Sequence, residues 1–312
     1  SATPPFEVVD FERLETSVAR APLPGFVKPA KGCFSVLARA VATRDELSAF
    51  LRDPLVADYR GRYLAIYRRL VERYLGADVD GTAFVVEGLL RGRLVTVEAF
   101  ATDTEVVPLG VVDSVTDPQH GSFVAFEYPS ALPAEVQRRL EAVTARLGAA
   151  FGLCWTMFNV ELMWDAATDR ISIIELNARM CGQFADLYEK VDGVHGHRLA
   201  LELACGRRPA FRRGSGPCAV AASYPLRVFE PVRVVHAPDP GELAAAVARL
   251  PEAMAWNEVA TGDRLTDFAS CDDGKSYRYA VLNVGADSRD GLQQARDTFV
   301  AAAGYRFERL VP

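Results

Sequence analysis

The chain has little that would set it apart from ordinary soluble proteins. Its six cysteines (33, 154, 181, 205, 218, 271) include no Cys-x-x-Cys pair and sit mostly among apolar neighbours. A disulfide framework has no support, and a reduced, cytoplasmic protein is expected. No block of Lys or Arg stands out and the net charge is −6, which argues against nucleic acid and for a small-molecule or protein partner. No apolar run approaches the roughly 20 residues of a membrane span, so no membrane contact is expected. Internal repeats and low-complexity segments are missing. There is no initiator Met before Ser1 and no signal-like stretch after it, so the start reads as processed, trimmed or engineered. Histidine is scarce. His195 and His197 stand two apart, which on a helix points them to different faces and excludes a paired metal site. His120 falls in a polar stretch, Asp113–Ser122, and reads as a solvated loop residue.

What is present is an ordinary globular composition, 50% hydrophobic and 24% charged over 312 residues, enough for one large lobe or two to three small ones. The most informative stretch is 157–182. It reads as two apolar strands joined by a polar turn, Asp165 to Arg170, each strand carrying a carboxylate among hydrophobic neighbours. Alternation puts Glu175 and Asn177 on one face of their strand, roughly 6–7 Å apart. A tight hairpin would bring Glu161 opposite them. Two carboxylates and an amide oxygen on one face repel unless neutralised, and a hard cation such as Mg²⁺ takes such ligands. Arg179 and the Cys181-Gly182 step follow at once.

Upstream, Pro24 to Val41 reads as strand, tight loop and strand, with Lys28 ending the first strand and Gly32 in the loop. Such a loop can wrap phosphates with backbone N–H groups while a Lys supplies charge. Thr43-Arg-Asp-Glu46 is a capping-box pattern. Residues 58–75 carry a helical apolar stripe (Tyr59, Tyr63, Ile66, Tyr67, Leu70, Tyr74) expected to pack on a core. Strands are expected at 84–90, 94–100 and 105–112, and a helix from Pro133 to Phe151 leads into the hairpin. Phe184 to Cys205 is expected as one helix ending at Gly206. A basic linker, 207–216, precedes a small α+β lobe with strands near 217–223, 231–236, 255–259 and 277–284 and helices near 240–250 and 289–303.

Taken in order, Lys28 with its loop, Glu87 after an apolar strand, and Glu161…Glu175-x-Asn177-x-Arg179 resemble the ATP-grasp superfamily. Within it the pattern is similar to the carboxylate–amine ligases of the D-alanine–D-alanine ligase and L-amino-acid ligase type, over roughly residues 20–210. The resemblance implies an α+β fold in which two subdomains grip ATP, with a small C-terminal lobe. The segments would be 1–77, the remainder of the first subdomain; 78–206, the second, with the metal site; and 207–312, the C-terminal lobe. It implies that Lys28 holds phosphates, that the loop to Ser35 is a flap, and that Glu87, Gly88, Leu89 and Leu90 form the hinge whose backbone reads adenine. Glu161, Glu175 and Asn177 would hold one or two Mg²⁺ ions, with Mn²⁺ as an alternative. Arg179 would meet the γ-phosphate or the oxyanion, and the Gly182 backbone the acyl group. The implied reaction is ATP-dependent joining of a small acid to an amine through an acyl phosphate.

Three departures accompany the resemblance. Leu94 stands where a second Glu usually meets the ribose hydroxyls, so that contact is either lost or taken over by Glu98. Cys181-Gly182 replaces a double glycine. Only some two dozen residues precede Lys28, where the family has a further domain and a first phosphate-binding Lys; either these were removed, or they lie on a separate N-terminal chain, or this is a reduced form, and a homodimer is the other partner expected. The competing expectation is a nucleotide-binding pseudoenzyme or partner subunit that keeps the fold without turnover.

Overall fold

An alternating apolar pattern near the start of the chain folds into an antiparallel sheet of β1 (Phe6–Val9), β2 (Gly25–Pro29), β3 (Arg39–Val41) and β4 (Phe84–Gly88), in the order β1-β4-β2-β3. The computed structural model describes residues 3–32, 36–75, 80–266 and 275–310, and these divide into two units that part between Arg91 and Gly92. In the first unit the helices are α1 (Leu14–Arg20), α2 (Arg44–Leu51), α3 (Pro54–Arg62) and α4 (Ala65–Tyr74). Val9, Val27, Val41, Phe84 and Val86 form the core with Leu47, Leu51, Val56 and Leu64. Because strand residues alternate, Phe26, Lys28, Val85 and Glu87 fall on the other face.

The capping pattern at Thr43 forms: the Glu46 N–H donates to Thr43 Oγ1 at 3.2 Å, while the Glu46 carboxylate accepts from the Ala42 N–H at 2.7 Å. The helix expected over 58–75 is interrupted at Tyr63–Leu64. Pro54 opens α3 with Asp53 as its cap, because a proline at the first helical turn gives up no hydrogen bond. The apolar stripe only partly packs. Tyr59 and Tyr67 reach the core, whereas Ile66, Leu70 and Tyr74 are exposed.

The second unit is built on an eight-stranded sheet ordered β12-β14-β10-β7-β6-β5-β8-β9. Its strands are β5 (Arg93–Ala101), β6 (Val106–Thr116), β7 (Phe123–Tyr128), β8 (Thr156–Asp165), β9 (Arg170–Asn177), β10 (Val220–Val228), β12 (Met254–Asn257) and β14 (Tyr277–Ala286). A small sheet adds β11 (Val232–His236), β13 (Arg264–Leu265) and β15 (Arg306–Arg309). The helices are α5 (Ala134–Ala150), α6 (Ala185–Asp192), α7 (Gly196–Ala204), α8 (Pro240–Val247) and α9 (Arg289–Ala303).

The expected segments are corrected in two places. Among the described residues the division between units falls after Arg91, not after residue 77, and residues from 207 on group in the same unit as the hairpin. β10 pairs with β7, Ala221 opposite Tyr128, so β10, β14 and β12 extend the same sheet as the hairpin. The helix expected from Phe184 to Cys205 is also split, because Gly193 takes a left-handed conformation (φ 72°) that ends α6. Asp113 is not in a loop: β6 runs through it and buries it.

The sheet has two unlike faces. On one, Val95, Val97, Ala99, Phe158, Val160 and Leu162 pack under Val136, Leu140 and Val143 of α5. Gly148 lets that helix come close, since a Cβ there would sit 2.5 Å from Phe158 Cζ. On the other face, Phe100, Met157 and Tyr128 are covered by Leu187, Tyr188 and Leu199 of α6 and α7. The polar residues Thr96, Glu98, Asn159, Glu161, Glu175 and Asn177 share this second face. A β-bulge makes that possible. Strict alternation would put Ile171, Ile173, Glu175 and Asn177 together, but the register shifts after Glu161–Glu175, so that Leu162 faces Ile173 and Ile174 is the extra residue. Ile171 and Ile173 thus join the α5 core, while Glu175 and Asn177 turn to the polar face. Among the described residues no helix is long and apolar enough to cross a membrane.

Candidate active site

Glu161 and Glu175 are directly opposed on β8 and β9, as the hairpin pattern requires, and Asn159 is directly opposed to Asn177. Directly opposed side chains have Cβ atoms about 4.5–5.5 Å apart, within reach of one shared ion. Glu175 is exposed and Glu161 half-buried. Asn177 donates through Nδ2 to Asn159 Oδ1 at 3.2 Å, which leaves its oxygen as the end available to a ligand. Among the described residues no group of three His, Cys, Asp or Glu side chains could hold a metal. The donor set is therefore two carboxylates and one amide oxygen. Hard oxygen donors of this kind fit Mg²⁺, which keeps several waters and takes one or two carboxylates from the protein.

The segment after Asn177 is tied down to the sheet. Asn159 Nδ2 donates to the Arg179 carbonyl at 3.1 Å, and the Cys181 N–H donates to Glu98 Oε1 at 2.6 Å. Arg179 itself is exposed; its Nη1 donates to the Met180 carbonyl at 3.3 Å. Gly182 opens a short 3-10 turn, Gly182–Phe184, and a Cβ there would meet nothing within 4 Å, so packing does not demand a glycine. Burial pushes the Cys181 thiol up to about 12, with the neighbouring Glu98 adding to the effect. That leaves no thiolate for nucleophilic chemistry at neutral pH.

Glu98 is in a different place from the one expected of a ribose ligand. Its side chain has 0% exposure and lies under Cys181, so no ribose hydroxyl reaches it in this structure. Burial raises its carboxyl to about 8, against the Cys181 N–H, which pulls it down. The Tyr188 hydroxyl lies beside this carboxyl and lowers it slightly, as a neighbouring donor does.

In the first unit, Lys28 and Glu87 form an ion pair of 2.8 Å between Nζ and Oε2, each about one-fifth exposed (19% and 21%). β4 is a central strand, and Glu87 lies between Phe6 and Phe26 in the register. The Gly88 N–H donates to the Pro5 carbonyl at 2.8 Å and the Leu89 N–H to the Pro24 carbonyl at 3.0 Å. Of the hinge residues expected to read adenine, those two have spent their N–H groups. Leu90 stands two residues beyond the end of β4. Ser35 lies outside the described residues. His120 is held by Asp117, Nδ1 to Oδ1 2.7 Å, and stacks on Phe229, in keeping with a structural loop residue. A cavity of about 370 Å³ beside Tyr128, Asp192 and Arg213 shares none of these residues. Its buried carboxylate, Asp192, is already bonded to the Tyr128 hydroxyl and the Gly214 N–H.

Asn159 is the functional residue that the sequence reading passed over. The signal was present: Asn159 and Glu161 alternate on one face just as Glu175 and Asn177 do.

With this geometry in place, the comparisons with known proteins agree on the class. A family model for the ATP-grasp domain matches residues 21–186, more than half of the chain. The chain belongs to the ATP-grasp family and has its α+β fold. No curated protein matches it in sequence. Among solved structures it is similar to an L-amino acid ligase from Bacillus licheniformis, at 17% identity and TM-score 0.72, covering 99% of this chain and 70% of that one. It is also similar to a biotin carboxylase from Campylobacter jejuni solved with an ATP analogue (14%, TM-score 0.65, 98% and 64% covered). A third is the biotin carboxylase domain of the Hydrogenobacter thermophilus 2-oxoglutarate carboxylase, with MgADP and bicarbonate (14%, TM-score 0.63, 98% and 63%). The chain thus spans under two thirds of the length of the two carboxylases. At these identities the likeness establishes the fold.

Proposed function

We propose that the chain is an ATP- and Mg²⁺-dependent ligase that joins a small carboxylic acid, such as an amino acid, to an amine through an acyl phosphate. The observation that carries this reading is the opposed pair Glu161 and Glu175, with the Asn177 oxygen left available beside them. Mg²⁺ held there would neutralise phosphate oxygens during transfer. The chain's own residues do the rest. Arg179, exposed and anchored through its carbonyl, supplies a fixed positive charge for the transferring phosphoryl group or the oxyanion. Lys28 binds phosphate by leaving its partner Glu87, and Leu90 offers the N–H for adenine. Gly182 supplies backbone to the acyl group. The free cysteines among the described residues, Cys154, Cys181, Cys205 and Cys218, suit a reducing, cytoplasmic setting.

A second reading, nucleotide binding without turnover, is favoured by one observation. Leu94 is apolar and Glu98 is covered, so neither offers a carboxylate to a ribose. The test is to mix the chain with ATP, Mg²⁺ and a panel of amino acids and to measure ADP and phosphate. Release only when an acid is added supports the ligase. ATP binding with no release under any pairing of acid and amine supports the second reading.

A further inference from the structure

Asn159 has both ends of its amide committed. It sits on β8 between Glu98 of β5 and Asn177 of β9, opposed to each, and is 2% exposed. Its nitrogen donates to the Arg179 carbonyl at 3.1 Å, and its oxygen accepts from the Asn177 nitrogen at 3.2 Å. The direction of this relay is dictated link by link. A backbone carbonyl can only accept, so Asn159 must turn its nitrogen to Arg179. Its oxygen is then the end that faces Asn177, and Asn177 must answer with its nitrogen. The Asn177 oxygen is left on the outer side of the relay. Were the amide reversed, a donor NH₂ would stand where the two carboxylates need another acceptor, and a cation would lose a ligand.

We propose that Asn159 is a positioning residue that sets the oxygen of Asn177 as a cation ligand and, through the same amide, fixes the backbone that carries Arg179. The proposal rests on the reading of Glu161, Glu175 and Asn177 as a divalent-cation site. Two functions are referenced to one buried side chain. The ligand amide takes its orientation from Oδ1, and the cationic side chain takes its starting point from Nδ2. Nothing else among the described residues performs the first task, since the only hydrogen bond of the Asn177 side chain there is the one to Asn159.

The test uses Mn²⁺ as the probe and binding as the readout, by the loss of the free-ion electron spin resonance signal on titration, without turnover. Asn159→Leu keeps the branched shape and the number of side-chain heavy atoms, though it is bulkier, and removes both bonds. It is expected to weaken Mn²⁺ binding about 10–100-fold, the usual effect of losing a group that orients a metal ligand. Circular dichroism checks that the fold is kept. If that variant does not fold, Asn159→Ser, polar but too short to span both partners, is read in its place.

Two further variants separate orientation from general damage. Asn177→Asp has oxygen at both ends, so its orientation no longer matters. Adding Asn159→Leu in that background should cost less than threefold. An equal cost in both backgrounds would overturn the proposal, as would Mn²⁺ affinity in folded Asn159→Leu equal to the parent's. Glu175→Gln is the control for the underlying reading. If it binds Mn²⁺ like the parent, the cation site itself is wrong and the proposal falls with it. If Glu175→Gln weakens binding while folded Asn159→Leu does not, the site stands and only the role of Asn159 is lost.

Discussion

Lys28 and Glu87, 59 residues apart in sequence, neutralise each other across adjacent strands at 2.8 Å. The family resemblance gives them separate tasks, Lys28 on phosphate and Glu87 at the adenine hinge. Under the proposed function, an incoming phosphate would compete with Glu87 for the ammonium. Lys28→Ala is expected to weaken ATP binding about tenfold or more, about 1.4 kcal/mol. Glu87→Gln frees the ammonium and should bind ATP at least as well as the parent. Calorimetric titration decides; unchanged affinity in Lys28→Ala takes Lys28 out of the nucleotide site.

Glu175→Gln removes one of two opposed carboxylates while keeping shape and hydrogen-bonding capacity. Mg²⁺-dependent release of ADP is expected to fall at least about 10²-fold, in the range found when a group stabilising transition-state charge is lost. Glu175 is exposed, so the far-ultraviolet circular dichroism and the melting curve should match the parent. Full turnover in this variant would sink the metal assignment.

Glu98 predicts a pH dependence of stability. In the folded chain its carboxyl is raised from 4.5 to about 8 because burial penalises the charged form. Between those values the folded chain holds a proton that the unfolded chain has lost. Stability therefore falls as pH rises through the window, by at most about 1.4 kcal/mol per pH unit for one proton, and levels off above it. Glu98→Gln cannot titrate yet still offers an oxygen to the Cys181 N–H. Its melting temperature should equal the parent's below about pH 4 and exceed it at about pH 9. Parallel curves for the two proteins would show that Glu98 does not carry this proton.

Gly148 tests the close approach of α5 to β8. Alanine normally favours a helix over glycine by about 1 kcal/mol. Here its Cβ would meet Phe158 Cζ at 2.5 Å inside a packed core. Gly148→Ala should therefore destabilise, by about 1–3 kcal/mol in urea unfolding, the usual range for overpacking. A more stable variant would mean that the helix can lift away freely.

Local pattern carried the sequence reading a long way. The hairpin, its turn at Asp165–Arg170, the helix Ala134–Ala150 and the opposition of Glu161 to Glu175 all follow from periodicity and a short connection. What stayed hidden depends on distant pairing. Glu98 sits next to Asn159 only because β5 pairs with β8 in one register, and nothing near residue 98 announces it. The C-terminal strands look like a lobe of their own until β10 is seen bonded to β7 across some 90 residues. The stripe on α4 reads as core because it is apolar, yet Ile66, Leu70 and Tyr74 remain exposed. Apolar periodicity shows which face could be buried; what lies against it is decided elsewhere.

The extra residue at Ile174 makes β9 behave like a text with a reading frame. Upstream of it, odd positions face the core; beyond it, odd positions face the carboxylate site. Point changes along 170–177 alter single words. Removing one residue anywhere in that run shifts the frame, sending Glu175 and Asn177 into the α5 core or Ile171 and Ile173 out of it. A change of one letter thus touches one side chain, whereas a change of length disturbs the core and the carboxylate face at once.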